Sequence, residues 1–306
     1  TDVFFEGLPC KGFTIGDISL SKVKTFLKEA NTSFKANKDN LASFLSSLGI
    51  YKDHRINNAG VLMFARDVGK FTPYAEVICA AFKGINKTFI YDRKDVRSDL
   101  LTQLNEAMAF IQRQLNIRSE IRGLNRHDIY EIPLDALREA LVNAIIHRDY
   151  SFKGTSINVD VYDDRVEIVN PGGLPAGLDK RDFGKISVRR NLILADLFHR
   201  MGKVERIGSG IRRMQDMMHT ANLQPPEFEM TTFFKAIFYR NPEYSLKRGS
   251  EKAEKIRRKY GETIEAGIGE KLGEKLGDRL GEKGARINRL MNKNPKISII
   301  ELARRI

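Results

Sequence analysis

One stretch constrains this chain more than any other. Between Pro133 and His147, the apolar residues Leu134, Leu137, Leu141 and Ile145 recur three and four positions apart. Projected at about 100° per residue, they form one stripe of an α-helix. Pro133 opens it where a missing N–H costs nothing. Glu139, Asn143 and His147, at i, i+4 and i+8, form a second stripe on the opposite side. A solvated face usually carries Lys and Glu. This one carries Asn and His, and the small residues Ala136, Ala140 and Ala144 edge it, which leaves room for a ligand. The second stripe is either a solvated face or the wall of a site, and the residue types favour the wall.

Around that helix the periodicities predict helices over about 20–28, 38–48, 98–115, 192–200 and 211–219. They predict buried strands over 59–65 and 75–82, a short third strand over 89–91, and a strand pair over 155–162 and 165–169 whose alternation (Ile157, Val159, Val161) buries one face. A Gly/Pro-rich loop fills 170–177, and residues 228–239 read as a hairpin. This order predicts an α+β fold, a two-layer α/β sandwich. The expected organisation is an α/β domain of unassigned role over 1–130, a ligand-binding domain over 131–243, a charged linker over 244–285, and the start of a helix-turn-helix over 286–306.

Composition removes several classes of function. The chain has 306 residues, 42% hydrophobic and 30% charged, which is a globular composition. No apolar run approaches the roughly 18–20 residues of a membrane span, and the first residues lack the basic region of a secretory signal. Two cysteines 69 positions apart, Cys10 and Cys79, exclude a disulfide framework and a Cys-based zinc site. They fit a reducing cytoplasm. The five histidines show no metal-ligand spacing. Net charge is +13, and residues 245–306 hold 17 Lys/Arg against 9 Asp/Glu, so one fifth of the chain carries a net +8. A basic end of this kind expects a polyanion, DNA before RNA. It contains a Gly-Glu-Lys-Leu repeat from Gly269 to Gly284 and a helix-turn-helix pattern whose groove-reading helix would follow Ile306.

Three motifs carry the chemistry. Glu139-Ala-Leu-Val-Asn143 resembles the N-box of the Bergerat-fold ATPases, the group that includes gyrases and histidine kinases. Asn170-Pro-Gly-Gly-Leu174 resembles the glycine box at a strand end, and Gly208-Ser209-Gly210 the second glycine box before a helix. The wording of 136–151, 162–172, 190–191 and 205–210 is similar to the divergent ATP-binding domain of bacterial and archaeal RecG-related helicase or transcriptional-regulator proteins. Those carry a Schlafen AlbA-type domain, without a counterpart in these residues, and a winged helix, of which 286–306 would be the start. The resemblance implies ATP and magnesium as cofactors, with Glu139 as general base and Asn143 as metal ligand. It implies Asn170 facing the base, Gly172 and Gly173 shaping the wall, and Gly208, Ser209 and Gly210 holding phosphates. Arg190 and Asn191 would reach the γ-phosphate from a lid, while His147 and Asp149 would orient Asn143 or its water. Two departures from ordinary Bergerat ATPases stand out, both shared by the divergent branch: Asn170 stands where those use Asp, and Leu174 replaces the last glycine of that box.

The implied function is a slow magnesium-dependent ATPase within a DNA-associated regulator. The alternative is a DNA-binding transcriptional regulator whose degenerate nucleotide pocket gates homo-oligomer assembly without hydrolysis. A motor helicase is unsupported, because no Gly-x4-Gly-Lys-Ser/Thr loop is present. His147-Arg148-Asp149 matches a kinase catalytic loop only locally, since the required Asn falls on Gly154.

Overall fold

The computed structural model describes residues 4–122, 125–175, 177–186, 188–204 and 209–241. The linker expected over 244–285 and the helix-turn-helix expected over 286–306 lie outside them. In chain order the elements are α1 (Leu20–Glu29), α2 (Leu41–Ser47), β1 (Tyr51–Lys52), β2 (Arg55–Ile56), α3 (Asn58–Phe64), β3 (Val77–Phe82), β4 (Ile90–Val96), α4 (Leu100–Gln114), β5 (Ile117–Arg122), β6 (Asn125–Tyr130), α5 (Leu134–His147), β7 (Ile157–Val161), β8 (Arg165–Pro171), α6 (Leu192–Arg200), α7 (Gly210–Thr220), β9 (Glu227–Met230) and β10 (Phe233–Tyr239).

Six strands form one sheet in the order β4-β3-β7-β8-β10-β9. Every neighbour pair is antiparallel except β3 and β7, which run parallel. Helices α4 and α5 pack on this sheet, and α7 packs on α5. The result is the α+β sandwich that the element order predicts.

The strand alternation sorts chemistry between the two faces. On β8, Val166, Ile168 and Asn170 share the face turned to the helices, where Phe238, Ala236 and Phe234 of β10 stand opposite them. On the other face, Asp160 of β7 pairs in register with Glu167 of β8, and Lys87 and Arg165 neutralise them. Leu137, Leu141 and Ile145 of α5 are fully buried, each contributing roughly 1.5–3 kcal/mol of burial. Asn170 is therefore the polar residue of an otherwise apolar set.

Three expectations change. Residues 59–65 form most of helix α3, not a strand. A short continuous apolar run does not distinguish a buried strand from a buried helix, and every residue of α3 is buried. Asn57 caps it by accepting from Gly60 N (3.1 Å), and a Cβ at Gly60 would collide with Ile50 and Ile56. The strand near residues 89–91 is the start of the longer β4, and the antiparallel hairpin β5–β6 has no counterpart in the expected elements. Finally, residues 130 and 131 do not separate two cores. β3 and β4 supply two of the six strands, and the described residues belong to one compact unit.

Candidate functional site

α5 lies against β8, and the space beside them is a cavity of roughly 1090 Å³, its open mouth included. Glu139, Asn143 and His147 line it from the helix, Asn170 from the sheet, Gly173 and Leu174 from the loop after β8, and Gly210, Ile211 and Met214 from α7. The second stripe of the helix is thus the wall of a cavity. Much of the remaining lining is apolar. Phe183, from the segment between β8 and α6, packs on Phe228 and Phe234 with ring centroids 5.3 and 5.5 Å apart.

Glu139 and Asn143 meet α7 at one end. Asn143 Nδ2 donates to Glu139 Oε1 (3.4 Å), and Arg213 Nη1 lies 3.9 Å from Glu139 Oε2. A Cβ at Gly210 would overlap Glu139 Oε1 and crowd Asn143 Nδ2, so glycine there lets the helix start approach the carboxylate. The first turn of a helix leaves backbone N–H groups without intrahelical partners and favours an anion. Ser209 and Gly210 stand at that start. Gly208 lies outside the described residues.

His147 and Asn170 occupy the other end, eight residues or about 12 Å along the helix from Glu139. The Asp149 N–H donates to Pro171 O (2.9 Å), which joins the end of α5 to the end of β8. Asn170 is 3% exposed, and its Oδ1 is buried without a partner. The Nδ1 of His147 is also buried without a partner. Burial pushes the imidazole down to about 4, and the Arg190 and Arg189 guanidiniums push the same way, so it is neutral near pH 7.

Other residues expected in the site support its walls. Arg190 Nη2 donates to Gly173 O (2.8 Å) and Leu174 O (3.3 Å), and its Nη1 lies 3.5 Å from Asp149 Oδ2. Its guanidinium thus clamps the loop and is not part of the cavity lining, whereas its neighbour Arg189 is. Asn191, buried, donates to Ile146 O (2.9 Å) and Arg148 O (2.8 Å), so it satisfies carbonyls at the end of α5. Asp149 sits beneath the loop. Gly172 has φ +98°, and a Cβ there would strike Arg190 and Asp149. A Cβ at Gly173 would strike Thr231 O.

Two residues of the same run were missed. Arg148 is 1% exposed and donates to Glu76 O (3.2 Å), Tyr74 O (2.5 Å) and Thr155 O (2.7 Å), tying the end of α5 to the starts of β3 and β7. Tyr150 donates to Ile145 O (2.9 Å). A signal for Arg148 existed: it continues the spacing of Leu141 and Ile145, so a cation stands in line with the apolar stripe.

Residues 154–238 match a family model described as putative ATP-dependent DNA helicase recG C-terminal, an ATPase-type domain. α5 precedes the matched span. No curated protein matches the sequence. Among solved structures, the fold is similar to that of the DIP2311 protein from Corynebacterium diphtheriae, with a TM-score of 0.65 and 23% identity over 78% of this chain and 48% of that one. The chain thus spans about half the length of that protein.

Proposed function

We propose that residues 131–243, on the sheet they share with β3 and β4, form a Bergerat-type ATP site in a DNA-associated regulatory protein. One observation carries the reading. The unpaired Asn170 acceptor stands on the apolar face of the sheet, and the Glu139–Asn143 pair stands against the start of α7, one to two helical turns along α5 from His147. An apolar slot with one acceptor at one end and a carboxylate, an amide and a helix start at the other suits a base joined to phosphates.

In this reading Asn170 accepts from the base, and the start of α7 receives phosphate oxygens. Asn143 presents its amide oxygen to magnesium, and Glu139 orients and deprotonates water. When bound, magnesium neutralises phosphate charge. No group of three or more His, Cys, Asp or Glu side chains that could hold a metal occurs among the described residues. That fits an ion that takes most of its ligands from phosphates and water. Arg189 supplies a cation on the cavity wall. The net +8 over 245–306 supports association with DNA.

A second reading rests on the engagement of Glu139 by Asn143 and its approach by Arg213. A base held this way binds nucleotide without rapid turnover, and the nucleotide would then set the assembly state. Calorimetry with ATP, GTP and ADP, with and without Mg²⁺, tests the site. Asn143→Ala should abolish the magnesium dependence. A variant that binds ATP–Mg²⁺ as tightly as the parent would remove Asn143 from the metal site. Tight ATP binding without turnover, with a nucleotide-dependent change in size-exclusion volume, would select the second reading.

A further inference from the structure

Among the described residues, four buried side-chain polar atoms lack a partner: His147 Nδ1, Asn170 Oδ1, Arg148 Nε and Arg240 Nε. Only His147 and Asn170 belong to the cavity wall. The segments that carry them also meet. The hydrogen bond from Asp149 N to Pro171 O joins the two segments, with His147 two residues before the donor and Asn170 one before the acceptor. Arg190, whose guanidinium grips the loop directly after Pro171, is close enough to influence the His147 ring.

Buried polar atoms are nearly always satisfied, so two orphans at one end of a cavity point to a ligand that supplies both partners. Asn170 Oδ1 can only accept. A neutral imidazole carries one N–H and one lone pair, and which nitrogen holds the proton follows from its partner. Adenine offers a matching edge, with the 6-amino donor directly beside the N1 acceptor. Guanine reverses both, presenting a carbonyl at position 6 and an N–H at position 1.

We infer that His147 is a specificity-determining residue that donates from Nδ1 to N1 of an adenine whose 6-amino group is accepted by Asn170 Oδ1. The inference rests on the nucleotide reading of the cavity and adds a second residue that selects its base. His147 thereby restores a donor–acceptor pair at a site where Asn170, which can donate as well as accept, would by itself leave the base ambiguous.

The test is calorimetry on the full chain with ATP, 1-deaza-ATP, 7-deaza-ATP and GTP, for the parent and for His147→Phe, which keeps a ring and removes both nitrogens. The parent should bind 1-deaza-ATP about tenfold more weakly than ATP, the loss expected for one buried hydrogen bond. It should bind 7-deaza-ATP like ATP, and GTP more weakly than either. His147→Phe should bind ATP about tenfold more weakly than the parent and no longer distinguish ATP from 1-deaza-ATP. A purely structural role for the ring would weaken both ligands together and keep their ratio. Equal affinity of the parent for ATP and 1-deaza-ATP would overturn the inference without any variant. A parent that discriminates against 7-deaza-ATP instead would place the contact at N7 and overturn it as stated. A parent that binds none of the four would refute the nucleotide reading itself, and this inference with it.

Discussion

Replacing Arg148 with methionine should cost about 3–4 kcal/mol of folding stability. The side chain is fully buried and serves three backbone carbonyls that belong to different parts of the fold. The three are not equal. Tyr74 O also accepts from Glu76 N (2.9 Å) and Glu76 O from Ile157 N (3.2 Å), so both keep a partner without the guanidinium. Thr155 O has the arginine as its donor. Stranding one buried carbonyl costs about 1–3 kcal/mol, and hydrogen bonds to a charged group contribute about 1.5–3 kcal/mol each. The guanidinium also lies 5.3 Å from the Tyr150 ring, a cation–π contact. Against these stands relief of the desolvation cost of a buried cation. Methionine keeps much of the volume, so cavity formation adds little. Lysine would keep the charge but lose the planar fork that reaches three acceptors at once, and should recover only part of the loss. Urea unfolding followed by far-UV circular dichroism measures it, since the chain has no tryptophan. An Arg148→Met protein within about 0.5 kcal/mol of the parent would refute the view that this cation locks α5 to the sheet.

Three further outcomes follow from the same geometry. Glu139→Gln should bind ATP about as well as the parent and lose about 10²–10⁴-fold in any hydrolysis, the contribution of a positioned general base; equal steady-state phosphate release by the two proteins would exclude Glu139 as that base. Gly173→Ala places a Cβ against Thr231 O in the β9–β10 turn, which the bonds Thr231 N to Phe233 O (2.9 Å) and Gly172 N to Thr232 O (3.1 Å) hold in place; it should cost about 1–3 kcal/mol and weaken nucleotide binding, and unchanged denaturation and affinity would show that the loop yields freely. His147 titrates at about 4 in the fold against 6.5 unfolded, held down by burial and then by Arg190 and Arg189. The unfolded chain therefore binds the proton first as pH falls, so stability present above pH 6.5 is lost progressively between 6.5 and 4, by up to about 3 kcal/mol. His147→Phe should lessen the pH 7 to pH 4 difference in unfolding free energy, measured by urea titration at each pH, by that amount, and an identical difference in parent and variant would count against a neutral buried ring.

The sequence by itself determined what local periodicity can determine. The two stripes of α5, the alternation of β7 and β8, the hairpin of β9 and β10, and the extent of α6 follow from spacings within a few residues. Glu139 and Asn143 are legible for the same reason, since four positions on one helix fix their proximity before anything else folds. The tertiary structure decided whatever depends on residues far apart in the chain. The parallel pairing of Val77 with Ile157 brings β3 into the sheet. The carboxylate of Glu6, near the start of the chain, receives Ile193 N (2.8 Å) and Leu194 N (3.0 Å) at the start of α6. No local pattern encodes either contact. Arg189 and Arg190 are adjacent in a segment without periodicity, and only the packed loop turns one toward the cavity and the other onto the carbonyls of Gly173 and Leu174. The helix α3 was hidden because burial on all sides erases the amphipathic signal that tells helix from strand. Asn170 shows both halves of the division. Alternation along β8 fixes the face it occupies, but only the packing of α5 and β10 around it leaves its acceptor buried and unpaired.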